Sequence, residues 1–250
     1  MSMAVATVIA ASDADATYAL VTEPEHVVFL QQECRVYGSP DGVASTAAAV
    51  PPRLRLALEE MALGVVKEFL RLEASVVDSN DDEAMEEGRR TLVEGITEEL
   101  RGNTLHREVT GSDGVEWTLS PRRHAQLRVF RDLWERGYVV TFGSKFGADF
   151  LIYKDNPKHA HAVSLVVVKD YEEEFARVDV VSFCRVAKMV KKQLLFACVR
   201  ANGEDKKGGT QENDGNRSDA RNVAADSVVY ISLTHALLVS RQEESTEELV

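Results

Sequence analysis

The chain has 250 residues, 44% hydrophobic and 28% charged, which excludes wholesale disorder and allows one large domain or two small ones. No apolar run approaches the roughly 20 residues that a membrane helix needs, and the opening residues lack the basic region of a secretory signal. The net charge of −12 is unevenly spread: residues 1–115 carry −12, residues 116–200 carry +5 and residues 201–250 carry −5.

An acidic protein therefore holds one basic stretch, read either as a solvated lysine-rich surface or as a face turned to phosphate. The cysteines, Cys34, Cys184 and Cys198, are odd in number and far apart. They suggest neither a disulfide framework nor a zinc site and fit a reducing compartment.

In chain order, residues 4–10 and 17–21 read as strands joined by a turn-like segment. Thr22 is expected to cap a helix that begins near Pro24 and runs through EHVVFLQQECRVY. Residues 38–52 read as a loop, and 54–73 (LRLALEEMALGVVKEFLRLE) as a second helix from apolar residues at helical spacing. Residues 78–88 are acidic and exposed, and 89–110 look helical.

From Ser120 the pattern is sharper. Ser120 and Pro121 begin a helix with Leu127, Phe130, Leu133 and Trp134 on one face, and Gly137 ends it. YVVTF, a GSKFG turn and the strand ADFLIY follow, then the loop KDNPKHAH. AVSLVVV at 162–168 is a buried strand. Asp179 is expected to cap the helix VVSFCRVAKMVKK, QLLFACV is a strand, 201–226 a polar loop, 227–233 a last strand and 241–250 an acidic tail.

The fold class is thus mixed α/β (α+β). A small ββα-type N-terminal domain (1–115) precedes an α-β-β-β-α-β-β domain (116–240).

Few residues point to chemistry. His159 and His161 are the only histidines close in sequence; two residues apart on a strand they would face one side and could ligate a metal, but no further ligand stands at suitable spacing. A metal-dependent nuclease would need an acid such as Asp149 and a second acid two residues before Lys169. Val167 stands there, so the magnesium site lacks a ligand. No GxxxxGK[ST] phosphate loop and no GxSxG elbow is present. Tyr153 ends a strand, and Lys191 and Lys192 end a helix, where cations complement the terminal carbonyls.

Taken together, Lys145–Phe146–Gly147–Ala148–Asp149–Phe150–Leu151–Ile152–Tyr153, His159–Ala160–His161 and Val190–Lys191–Lys192 resemble the tRNA-splicing endonuclease family. The likeness is greatest to its catalytic subunit for the 3′ splice site and covers residues 126–200 and the final strand. The resemblance implies metal-independent cleavage of precursor tRNA to 2′,3′-cyclic phosphate and 5′-hydroxyl ends, with no cofactor.

The family's Tyr, His and Lys map onto Tyr153, His159 and Lys192. A loop about two residues shorter than that subunit's leaves His161 as the alternative acid. Ala162 stands where an aromatic is expected, and His235 where a tryptophan is common. Lys145, Lys191, His161, Arg185 and His235 are further candidates for RNA contact. Glu212 and Asp214 in the polar loop are candidates for contact with a partner subunit. The resemblance further implies partner subunits and a nuclear location. The competing readings are a non-catalytic subunit of the same complex and an unrelated RNA- or protein-binding module.

Overall fold

The structure, a computed structural model, describes residues 3–9, 16–41, 53–75, 83–101, 109–110, 116–117, 119–200 and 228–233. It is mixed α+β, with two five-stranded mixed sheets and five helices.

The N-terminal sheet contains β1 (Ala4–Ile9), β2 (Tyr18–Val21), β3 (Ser39–Asp41), β4 (Arg53–Leu56) and β5 (Leu70–Ala74) in the order β3-β4-β2-β1-β5. Alternation decides its faces: Ala4, Ala6 and Val8 of β1 are buried while their neighbours are half-buried. Helix α1 (Pro24–Gln32) follows β2. Its N-cap residue is Glu23 rather than Thr22, with no side-chain cap. The helix also ends earlier than its sequence suggests, and the chain turns through Arg35 at φ 56°.

The expected helix over 54–73 is instead β4, helix α2 (Leu58–Val66) and β5. Strand β5 pairs parallel with β1, Ala4 opposite Leu70. Helix α3 (Glu83–Arg101) packs on α2, and the short strands β6 (Val109–Thr110) and β7 (Glu116–Trp117) pair as a ribbon.

The C-terminal half has the predicted element order. Helix α4 (Pro121–Glu135) starts at Ser120, whose hydroxyl accepts from the Arg123 amide, and ends through Gly137 at φ 94°, a backbone angle that disfavours other residues. Strands β8 (Val139–Phe142), β9 (Phe150–Tyr153), β10 (Ser164–Asp170), β11 (Gln193–Val199) and β12 (Val228–Leu233) form the second sheet. Their order is β12-β11-β10-β9-β8. β10 and β11 are parallel, joined by helix α5 (Arg177–Met189), and the other pairs are antiparallel. Residues 164–168 are buried throughout, as a central strand covered on both faces requires. Helix α5 begins after Ala176, so Asp179 is not its cap but lies in its first turn, where a carboxylate still suits the helix dipole.

Helix α4 lies between the two sheets. Val129, Phe130 and Leu133 join one core with Leu58, Met61 and Leu63 of α2 and with Phe150, Ile152, Val166 and Val168 of the second sheet. On that sheet's other face, Leu165, Val167, Leu194 and Phe196 pack under α5 with Ala187. No helix among the described residues is long and apolar enough to cross a membrane.

Candidate active site

Strand directions decide which residues meet. β9 runs against β10, and β10 runs with β11. The end of β9 therefore lies beside the beginnings of β10 and β11. Tyr153 is the last residue of β9, His159 and His161 lie in the segment leading into β10, which starts at Ser164, and Lys192 immediately precedes β11.

The ladder continues across this edge: the Val163 amide donates to the Ile152 carbonyl at 2.8 Å, and the Gln193 amide to the Val163 carbonyl at 3.1 Å. Alternation fixes the faces as well. Leu151 and Leu194 belong to the cluster under α5, so Tyr153 and Lys192, each two residues away, lie on that same face.

Lys192 is positioned by a helix terminator. Its amide donates to Ala187 O at 2.9 Å and that of Lys191 to Lys188 O at 3.1 Å. Lys191, at φ 53°, takes the left-handed position. This is the paired hydrogen-bond pattern that closes helices, with lysine where glycine is usual. The half-buried Lys192 side chain then reaches across to donate from Nζ to the Ala162 carbonyl at 3.0 Å. The ammonium is thereby tied to the segment that carries both histidines.

The histidine loop is shaped by Asn156 and Pro157. Asn156 O accepts from the His159 amide at 3.0 Å and the Ala160 amide at 2.9 Å, while Asn156 Oδ1 accepts from the Lys158 amide at 2.9 Å. Proline in the second position suits this turn, and the Asn side chain reinforces it. His159 and His161 are both exposed at the same edge.

The remaining candidates are dispersed. Lys191 is exposed beside Lys192, and Arg185 is exposed on α5. Lys145 lies in the turn before β9, at the opposite end of that strand from Tyr153, a separation on the order of 10 Å. His235, Glu212 and Asp214 lie outside the described residues.

Asp149, considered above as a metal-binding acid, serves the fold. Its Oδ1 accepts from Gln126 Nε2 at 2.7 Å and Arg122 at 3.1 Å, and Oδ2 from the Val168 amide at 2.7 Å. One carboxylate thus joins α4, β9 and β10. Among the described residues no cluster of three or more His, Cys, Asp or Glu could hold a metal ion. Burial, aided by Glu33, pushes the Cys34 thiol up to about 11, far from the thiolate that a nucleophile needs.

The segment that holds this edge of the second sheet also resembles known proteins. Residues 124–207 match the family model described as tRNA intron endonuclease, catalytic C-terminal domain. The chain is 39% identical over 77 residues to tRNA-splicing endonucleases of Saccharolobus islandicus (strain L.S.2.15 / Lassen #1) and Saccharolobus solfataricus, covering 31% of this chain and 42% of each relative. It is 37% identical over 82 residues to that of Sulfurisphaera tokodaii, covering 33% of this chain and 46% of the relative. The match thus spans less than half the length of these curated relatives. The likeness to tRNA-splicing endonucleases is carried by this segment.

Proposed function

We propose that the chain is a catalytic subunit of a tRNA-splicing endonuclease, cutting precursor tRNA at the 3′ splice site by metal-independent transesterification. The observation that carries this reading is the meeting of three chain segments, ending or beginning at Tyr153, His159 and Lys192, at one end of the second sheet, with Lys192 Nζ 3.0 Å from Ala162 O.

The chemistry uses what these side chains offer. The ribose 2′-hydroxyl attacks the adjacent phosphorus in line. A bond from phosphorus to O2′ forms and the bond to the 5′-oxygen breaks, leaving a 2′,3′-cyclic phosphate and a 5′-hydroxyl. Tyr153 orients the 2′-hydroxyl and takes its proton, a role that a neighbouring cation favours by stabilising the phenolate. Lys192 is that cation and also stabilises the extra negative charge of the phosphorane. His159 protonates the departing 5′-oxygen as general acid.

Assignment to the 3′ site rests on Asn156–Pro157 and the His159–Ala160–His161 pattern. The family likeness supports a lyase-type RNA cleavage, partner subunits in a heterotetramer and a nuclear location.

The test is cleavage of an intron-containing precursor tRNA in excess EDTA by the chain co-expressed with its partner subunits. Cutting at the 3′ junction to a cyclic phosphate is expected, and loss of that cutting in His159→Ala. Retention in His159→Ala with loss in His161→Ala would move the acid to His161. Retention in both would reduce the chain to a scaffold.

A further inference from the structure

The histidine loop does not stand alone. Its first residues face the end of α1 across a cleft of about 390 Å³, a volume in the range of ligand-binding clefts. Gln31, Arg35 and Tyr37 form one wall, and Lys154, Asn156 and Lys158 form the other. The cleft is polar and carries three cations, Arg35, Lys154 and Lys158, against one lining carboxylate, Asp155.

Its two walls are joined by a hydrogen bond from Lys158 Nζ to Gln31 Oε1 at 2.9 Å. The Arg35 wall is rigid. Its guanidinium donates to the carbonyls of Tyr138 at 3.2 Å and Trp134 at 3.1 Å, and lies 4.5 Å from the Trp134 ring centre. Trp134 in turn donates to Cys34 O at 2.8 Å. Arg35 holds this place with φ 56°, a backbone conformation that a non-glycine residue keeps only where its surroundings enforce it. Burial, with the Asp155 charge, pushes the Tyr37 hydroxyl above its usual value, so it remains a hydrogen-bond donor at working pH.

We propose that this cleft is a binding subsite for the phosphodiester backbone of the RNA strand on the 3′ side of the cut, a reading that rests on the function proposed above. Three observations lead there. The groups lining it are chiefly donors and cations, as phosphate oxygens require. The cleft is built from both halves of the chain, so the N-terminal half contributes to substrate binding. Lys158 is also the immediate neighbour of His159, about 3.8 Å away along the backbone. His159 protonates the oxygen of the nucleotide that leaves, and that nucleotide begins the 3′ strand. A strand continuing past His159 along the loop meets Lys158, Lys154 and the α1 wall.

The probe is a precursor tRNA carrying a 2′-deoxy nucleotide just before the 3′ junction, which binds without being cut because the attacking hydroxyl is missing. Its affinity for the full complex is measured across a salt series. Single-stranded contacts each contribute about 0.7 to the slope of log affinity against log salt. Lys154→Ala/Lys158→Ala is therefore expected to flatten the slope by about 1.4, and Lys154→Ala alone by about 0.7. The single variant decides the matter if the double variant does not assemble. Both deficits should disappear on a substrate shortened 3′ of the junction.

An unchanged slope in complexes whose wild type cuts normally would overturn the subsite and leave the proposed function standing. Loss of subunit assembly in the double variant, with an unchanged slope for Lys154→Ala, would make the cleft a protein contact instead. Deficits that persist on the shortened substrate would overturn the assignment to the 3′ strand. A wild-type complex that neither binds nor cuts precursor tRNA would remove the proposed function, and the subsite with it.

Discussion

Lys192 has two tasks that its sequence position shows unequally. A lysine at a helix end is expected from the dipole alone. The structure adds that its backbone closes α5 and that its ammonium crosses to Ala162 O. Lys192→Ala is expected to slow the chemical step by roughly 10²–10³-fold, the usual loss when one donor to a developing charge is removed. RNA affinity should change far less, because phosphorane charge exists only in the transition state. Single-turnover rates and binding measured on the same complex separate the two, and equal losses would contradict the assignment. Tyr153, His159 and Lys192 were singled out by the family resemblance, since each alone is a weak signal at the end of a strand, loop or helix. Their common face was not legible, since it follows from the alternation of Leu151 and Leu194 in a sheet whose order no local pattern specifies. Asp149 shows the opposite case: a carboxylate that suggests metal chemistry in the sequence is consumed by three hydrogen bonds to α4 and β10.

Among the elements, α2 carries an unusual charge. Glu60 is buried, and its two oxygens accept from the Gly38 amide at 2.8 Å and the Ala57 amide at 3.0 Å. It thereby caps its own helix and holds the chain entering β3. Burial pushes its carboxyl up to about 7, outweighing the two backbone bonds that lower it. The folded state thus holds this proton more tightly than the unfolded state. Its contribution is full below about pH 4.5 and is lost as pH rises towards 7, amounting to about 3 kcal/mol. Glu60→Gln should flatten the fall in Tm over that interval, and an unchanged pH profile would show that Glu60 does not titrate there. The α2 region is also where sequence patterning misled. Apolar residues recur at helical spacing across 54–73, but the ends are strands: β4 alternates exposed and buried residues, and β5 is recruited by parallel pairing with β1, a tertiary choice that overrides local preference. The C-terminal elements were legible because their period switches cleanly between 3.6 and 2, with Ser120–Pro121 and Gly137 marking the ends of α4.

At the scale of the whole molecule, the two sheets share a core through α2 and α4, and a buried ion pair crosses it. Arg123 Nη1 lies 2.7 Å from Glu59 Oε1, with Glu59 only 1% exposed. Arg123→Ala strands that carboxylate without its guanidinium and is expected to cost about 3 kcal/mol, seen as a lower Tm. Adding Glu59→Gln should restore part of the loss, and no restoration would mean that the pair is not what holds the helices together. Neither this contact nor the cleft beside the histidine loop was legible in the sequence, because the ion pair joins residues 64 positions apart and the cleft residues 103 and 127 apart. The parallel pairing of β10 with β11 has a consequence for how the molecule comes into being. Ser164 sits opposite Gln193, so these strands can meet only once the intervening chain has formed the crossover through α5. Lys192 stands at the close of that crossover and Tyr153 before its opening. The edge that bears Tyr153, His159 and Lys192 is therefore completed only when these two strands pair: a collapsed chain without that pairing has these residues and not their arrangement.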